Sequence, residues 1–112
     1  MNHITLGKVG EELAFAYLKK KKYKIIKTNF SNNIGEIDII AKDRKVIVFI
    51  EVKNRTSARF GLPREAVNWG KQQKIRNVAL SYLKSKKWLN EPCRFDVIDI
   101  LDGEITHIEN CF

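Results

Sequence analysis

The chain is predicted to be an α/β domain, a mixed five-stranded sheet flanked by helices in the order αβββαββ. Three observations predict it. Residues 7–22 and 63–87 repeat apolar side chains at three- and four-residue steps, the period of a helix. The run Val46-Ile47-Val48-Phe49-Ile50 has no polar alternation, as in a central strand covered on both faces. Asp102-Gly103 lies between two β-prone runs and is a strong hairpin signal. At 112 residues the chain is expected to form one domain over 1–112, large enough to bury a real core.

The first helix, Gly7 to Lys22, carries Leu13, Ala14, Tyr17 and Leu18 on one face. Glu11 and Glu12 fall in its first turn and Lys19–Lys22 in its last, the charge order the helix dipole favours. Thr5 is the candidate N-cap. Tyr23 to Phe30 contains a short β-prone stretch, Tyr23-Lys24-Ile25-Ile26, that reads as the first strand, and Ser31-Asn32-Asn33 is turn chemistry. Glu36 to Ala41, the polar turn Lys42-Asp43-Arg44-Lys45 and Val46 to Asn54 read as a hairpin. Residues 55–62 form a loop, and Pro63 suits the first turn of a second helix reaching about Lys87. Ile75, Val78, Ala79, Tyr82 and Leu83 make its apolar stripe, and Gly70 is the point at which the segment could divide. Phe95–Leu101 and Glu104–Cys111 are the last two strands.

Composition narrows the class of partner. Apolar residues at 44% and charged residues at 30% describe an ordinary soluble globular protein. The formal charge is +8, unevenly spread: residues 1–90 hold 20 Lys and Arg against 7 Asp and Glu, whereas residues 91–112 hold Arg94 against 6 acids. A basic body with an acidic C-terminal hairpin points to a polyanionic partner on one side, nucleic acid above all. Cys93 and Cys111 are too few for a disulfide framework or a zinc site and are expected to be free thiols. Met1–Thr5 lacks a signal pattern, and Val46–Ile50 is far too short to cross a bilayer. A cytoplasmic location with no membrane association is expected.

Two strings carry the chemistry, Gly35-Glu36-Ile37-Asp38 and Glu51-Val52-Lys53. Residues two apart on a strand share a face, so Glu36 sides with Asp38 and Glu51 with Lys53. If the hairpin closes around Asp43-Arg44, Asp38 falls opposite Phe49 to Glu51. Directly opposed residues have Cβ atoms about 4.5–5.5 Å apart, so Asp38 and Glu51 can share one hard cation, Mg²⁺ being the natural choice. Such an ion polarises a phosphate and acidifies a bound water. Lys53 then stabilises the attacking hydroxide or the charge that develops on phosphorus. Glu36 reads as a solvated strand-entry residue, and His3 and His107 have no ligand-like companions.

The same residues resemble a known family. Gly35-Glu36-Ile37-Asp38-Ile39-Ile40-Ala41 and Phe49-Ile50-Glu51-Val52-Lys53-Asn54-Arg55 look like the YraN-type family of small bacterial proteins. So do Gly7-x-x-Gly10-Glu11, Asn29, Gly61-x-Pro63-x-Glu65-Ala66-Val67, Lys71, Ala79-x-x-Tyr82-Leu83 and Arg94-Phe95-Asp96-Val97. The resemblance spans nearly the whole chain. It implies a restriction-endonuclease-like fold of the PD-(D/E)xK superfamily, similar to Holliday-junction resolvases. It implies that Asp38, Glu51 and Lys53 are the motif's acids and lysine, and that Glu11 completes a site for Mg²⁺ or Mn²⁺. Ile37 stands where the motif has proline, a departure that leaves the acid intact. Glu11 has support of its own, sharing a helix face with Ala14, Phe15 and Leu18, where an unpaired carboxylate is costly. The alternative for it is a partner of the helix dipole.

The expected function is therefore Mg²⁺-dependent hydrolysis of phosphodiester bonds in DNA, with branched or single-stranded structures among the implied substrates. Arg55 and Arg59, on the loop beyond the motif, are expected to contact phosphates, as are Lys71 and Lys74 on the second helix. Trp69 and Trp88 read as core rather than as stacking platforms. Resolvase-like relatives work as symmetric dimers, which makes a homodimer the implied assembly, although no apolar surface stripe demands one. The alternative reading is a non-catalytic nucleic-acid-binding or adaptor protein that keeps the fold.

Overall fold

Val46–Ile50 needs cover on both faces, and the fold supplies it by setting that strand in the middle of the sheet. The structure, a computed structural model, describes residues 6–56 and 67–112. Its elements are α1 (Leu6–Lys20), β1 (Lys24–Ser31), β2 (Glu36–Asp43), β3 (Val46–Arg55), α2 (Trp69–Lys86), β4 (Cys93–Leu101) and β5 (Glu104–Ile108). The five strands lie in chain order, β3 and β4 parallel and the other pairs antiparallel. This is the mixed five-stranded sheet with two helices that the pattern predicts. Thr5, Arg59, Gly61, Pro63 and the expected start of the second helix lie outside the described residues.

Along β3 the side chains alternate between two cores. Ile47 and Phe49 join Ile75, Val78, Ala79, Tyr82 and Leu83 of α2, while Val48 and Ile50 join Ala14 and Leu18 of α1. The stripe expected on the second helix is the face it buries. Among the described residues no helix is long and apolar enough to cross a membrane.

The element ends shift for local reasons. α1 stops at Lys20 because Lys22 adopts φ 68° and Tyr23 N–H bonds back to Leu18 carbonyl at 2.9 Å, a left-handed helix stop. Beginning at Leu6, the helix has no acid in its first turn, so Glu11 and Glu12 sit beyond the strongest part of the dipole. Leu13, expected on the buried face, is exposed. β2 continues through Asp43, leaving a two-residue turn at Arg44-Lys45 with Arg44 at φ 57°. The helix does not run unbroken from Pro63. Asn68 is extended and caps α2, its side-chain oxygen accepting the Lys71 N–H at 2.9 Å. Asp102 and Gly103, at φ 49° and 83°, form the expected tight turn between β4 and β5.

Candidate active site

The β2–β3 ladder begins with Asp43 opposite Val46 and ends with Ile39 opposite Ile50. Beyond that point each strand follows its other neighbour, β2 pairing with β1 to Glu36 and β3 with β4 to Arg55. The central pair therefore parts at Asp38 and Glu51. Side-chain packing marks the break: Ile37 joins the core under α2 and Ile39 the core under α1, so the two-residue alternation fails beside Asp38. Asn29 on β1, between the partners of Ile37 and Ile39, is left-handed at φ 51°. The splay opens a cleft of about 460 Å³ whose lining includes Glu11, Glu36, Asp38, Glu51, Lys53 and Lys71.

Asp38 is fixed across the split by the backbone: its Oδ2 accepts the Val52 N–H at 2.8 Å. Glu51 is the buried member, 8% exposed. Burial, then the charge of Asp38, push its pKa up to about 7 against the pull of Lys71. Lys71 Nζ lies 3.2 Å from Glu51 Oε1. Burial works against the Lys71 ammonium, but its hydrogen bond with Lys53 and the charges of Glu51 and Asp38 hold its pKa above the usual lysine value. Lys53 goes the other way, its pKa lowered by burial and then by Lys71. The two lysines thus shift in opposite directions.

Glu11 reaches the cleft from the helix on the opposite face. A Cβ on Gly10 would stand 2.7 Å from the Asn54 Cβ, so only glycine lets α1 lie this close to β3. Burial, then Asp38 and Glu36, raise the Glu11 pKa. The shift shows that Glu11 faces the cleft acids Asp38 and Glu36.

The four groups expected at the centre, Glu11, Asp38, Glu51 and Lys53, all line this one cleft. The expected phosphate contacts divide. Lys71 lines the cleft but is already paired with Glu51. Lys74 is exposed on a neighbouring cleft of about 580 Å³ that also touches Gly35, Glu36 and Lys71. Arg55 is not on a loop. It ends β3 and forks onto buried Asp99, Nε to Oδ1 at 2.9 Å and Nη2 to Oδ2 at 3.0 Å, because an acid buried there requires a partner. Arg59 lies outside the described residues. Trp88 packs against the core, but Trp69 is 74% exposed, because the α2 stripe begins only at Ile75.

Asp96, which reads from the sequence as a structural or surface acid, anchors a polar cluster on the α1 side of the sheet whose partners the sequence did not reveal. Asp96, fully buried, accepts from Arg94 Nε at 3.0 Å and from the Asn110 N–H at 2.9 Å, and lies 2.7 Å from His107 Nε2. His107 Nδ1 lies 3.0 Å from the Tyr17 hydroxyl, and Arg94 also reaches Asp43 at 3.0 Å. The available signal was an aspartate inside the apolar run Phe95–Ile100, which has to be paired. This cluster is structural: it holds β4 to β5, α1 and the start of β1.

Among the described residues no three His, Cys, Asp or Glu side chains stand close enough to make a cage for a metal ion. Two facing acids still suit Mg²⁺, which takes one or two carboxylates and completes its shell with waters and substrate phosphate. Asp38 and Glu51 supply hard oxygen donors whose mutual repulsion a dication relieves.

A mixed sheet that splays to present two acids and a lysine pair defines an α/β protein with a charged cleft between its central strands. The chain belongs to the uncharacterised protein family UPF0102, the YraN-type proteins, whose family model matches residues 10–100. It is 54% identical over 112 residues to the UPF0102 protein of Thermodesulfovibrio yellowstonii, covering all of this chain and 99% of the relative. It is 48% identical to that of Caldanaerobacter subterraneus subsp. tengcongensis, covering all of this chain and 98% of the relative. With the UPF0102 protein of Clostridioides difficile the identity is 45%, with full coverage of both chains.

Proposed function

We propose that the protein is a metal-dependent nuclease of the restriction-endonuclease-like PD-(D/E)xK superfamily, hydrolysing phosphodiester bonds in DNA. The observation that carries this reading is the convergence of Asp38, Glu51 and Lys53 in one cleft, with Glu11 beside them. A Mg²⁺ or Mn²⁺ ion bound there supplies Lewis acidity and an acidified water. Asp38, held by the Val52 N–H, and Glu51 are the residues that hold it. Lys53, lining the cleft beside the acids, stabilises the attacking hydroxide, which forms as the water gives its proton to solvent and its oxygen bonds to phosphorus. The P–O bond to the leaving oxygen breaks, and that oxygen takes its proton from solvent. Lys71 and Lys74 supply positive charge for the phosphates on either side.

The test is incubation of labelled four-way junctions, flaps, duplex and single strands with the protein in Mg²⁺ or Mn²⁺. Cleavage of at least one substrate, lost in Glu51→Gln and Lys53→Met, is the expected result. No cleavage of any substrate, or equal cleavage by the variants, overturns the reading. A second reading, a non-catalytic DNA-binding or adaptor protein, draws on one observation: Lys71 already balances Glu51 without a metal. Salt-sensitive binding that needs no metal and strengthens when Asp38 and Glu51 are neutralised would favour it.

A further inference from the structure

Lys71 joins the buried acid of the cleft to its solvent side, its Nζ 3.2 Å from Glu51 Oε1. The carboxylate is buried, but the lysine side chain is 39% exposed, so the pair is solvated on its lysine side. Lys71 also lines both clefts, the acidic one with Asp38 and Glu51 and the neighbouring one with Lys74 and Gly70. A lysine stem has four carbons and a compact ammonium with three donors, so a turn about its bonds carries the charge from one cleft to the other. Lys71 is also the third residue of α2, where the helix dipole makes a cation unfavourable unless an anion accompanies it.

We propose that Lys71 is an exchangeable counter-cation: it neutralises Glu51 in the metal-free protein, leaves when a divalent cation takes that carboxylate, and then pairs with a substrate phosphate in the neighbouring cleft. The inference rests on the metal site proposed above. An ammonium and a dication on the same carboxylate oxygen repel each other, so one departs. The released ammonium is then the cation placed to meet the phosphate that arrives with the metal. Metal loading and phosphate binding are thereby coupled through one side chain, each favouring the other because both favour the same position of Lys71.

The experiment titrates Mg²⁺ alone into the parent, Lys71→Met and Lys71→Gln by calorimetry, at alkaline pH so that Glu51 is ionised in all three. Removing the competing cation should tighten Mg²⁺ binding severalfold, up to about fivefold, the factor a partly exposed ion pair is worth. In parallel, binding of single-stranded DNA is measured in Ca²⁺ and in EDTA. The variants should lose more affinity in Ca²⁺, where Lys71 is released, than in EDTA, where it is held by Glu51. If the parent binds Mg²⁺ and both variants bind it equally or more weakly, the exchange is overturned while the nuclease reading stands. An equal loss of DNA affinity in Ca²⁺ and EDTA also overturns it. If neither parent nor variants bind Mg²⁺, the metal site fails and the exchange with it. Two variants of different polarity keep the result independent of any packing defect in one of them.

Discussion

Replacing Glu51 with Gln should stabilise the metal-free protein at alkaline pH and leave it nearly unchanged at about pH 4.5 and below. Burial and Asp38 push the Glu51 carboxyl from its ordinary 4.5 to about 7. Its ionised form is thus disfavoured in the folded state, a cost that is absent below 4.5, grows as pH rises and is complete above about 7. Each tenfold change in proton affinity is worth about 1.4 kcal/mol, so the ionised carboxylate costs the fold about 3 kcal/mol. Gln carries no charge, keeps an oxygen for Lys71 and offers an amide N–H to Asp38, as protonated Glu51 does. With some relaxation of Lys71, the expected gain is about 2–3 kcal/mol in alkaline buffer. Urea denaturation of both proteins in EDTA, at about pH 4.5 and at alkaline pH, measures it. A loss of stability in the variant that is the same at both pH values would contradict this prediction. It would show that Glu51 is a structural partner of Lys71 and not a strained acid.

Asp38→Asn keeps an oxygen for the Val52 N–H and removes repulsion, so metal-free stability should hold or rise by about 0.5–2 kcal/mol. Asp38→Ala strands that N–H and should cost about 1–3 kcal/mol; thermal melting in EDTA separates the two variants. Asp96→Asn leaves Arg94 without its buried partner and should cost about 3–5 kcal/mol by urea denaturation. Despite burial, the bonds from His107 and Arg94 hold the Asp96 pKa below its ordinary 3.8. Its contribution is therefore present above that value and lost as pH falls through the folded-state pKa, so the variant should show a shallower acid limb. Gly10→Ala drives a methyl onto Asn54 and should destabilise by about 1–3 kcal/mol, read from the same denaturation curves.

Much of the sheet was legible because its signals are local. Val46–Ile50 announces a strand with two cores, and Asp102-Gly103 announces its turn. Ile75, Val78, Ala79, Tyr82 and Leu83 announce a buried face, and each of these features appears in the structure. Element ends were less legible, because caps decide them: Asn68 starts α2 and Lys22 stops α1 through hydrogen bonds that periodicity does not register. Asp38, Glu51 and Lys53 could be brought together from spacing and alternation alone. The splay that opens the cleft could not, since it depends on a break in alternation beside Asp38. Nor could the engagements of Arg55 and Lys71, because a basic residue beyond a motif reads as a phosphate contact until its acid is seen in space. Arg55 found Asp99 and Lys71 found Glu51, each across more than a dozen residues of chain. His107 escaped for the same reason, its partners Tyr17 and Asp96 being brought to it by the pairing of β4 with β5 and by the packing of α1.

The proposed nuclease mechanism requires a divalent cation held by Asp38 and Glu51. The most direct measurement is thermal melting of the parent and Asp38→Asn, each in EDTA and in excess Mg²⁺ or Mn²⁺. A ligand that binds only the folded state raises its melting temperature, by about 2.7 kcal/mol in stability at a hundredfold excess over Kd. The parent should melt higher with metal and Asp38→Asn should not move. Equal shifts in the two proteins, or no shift in the parent, would contradict the site.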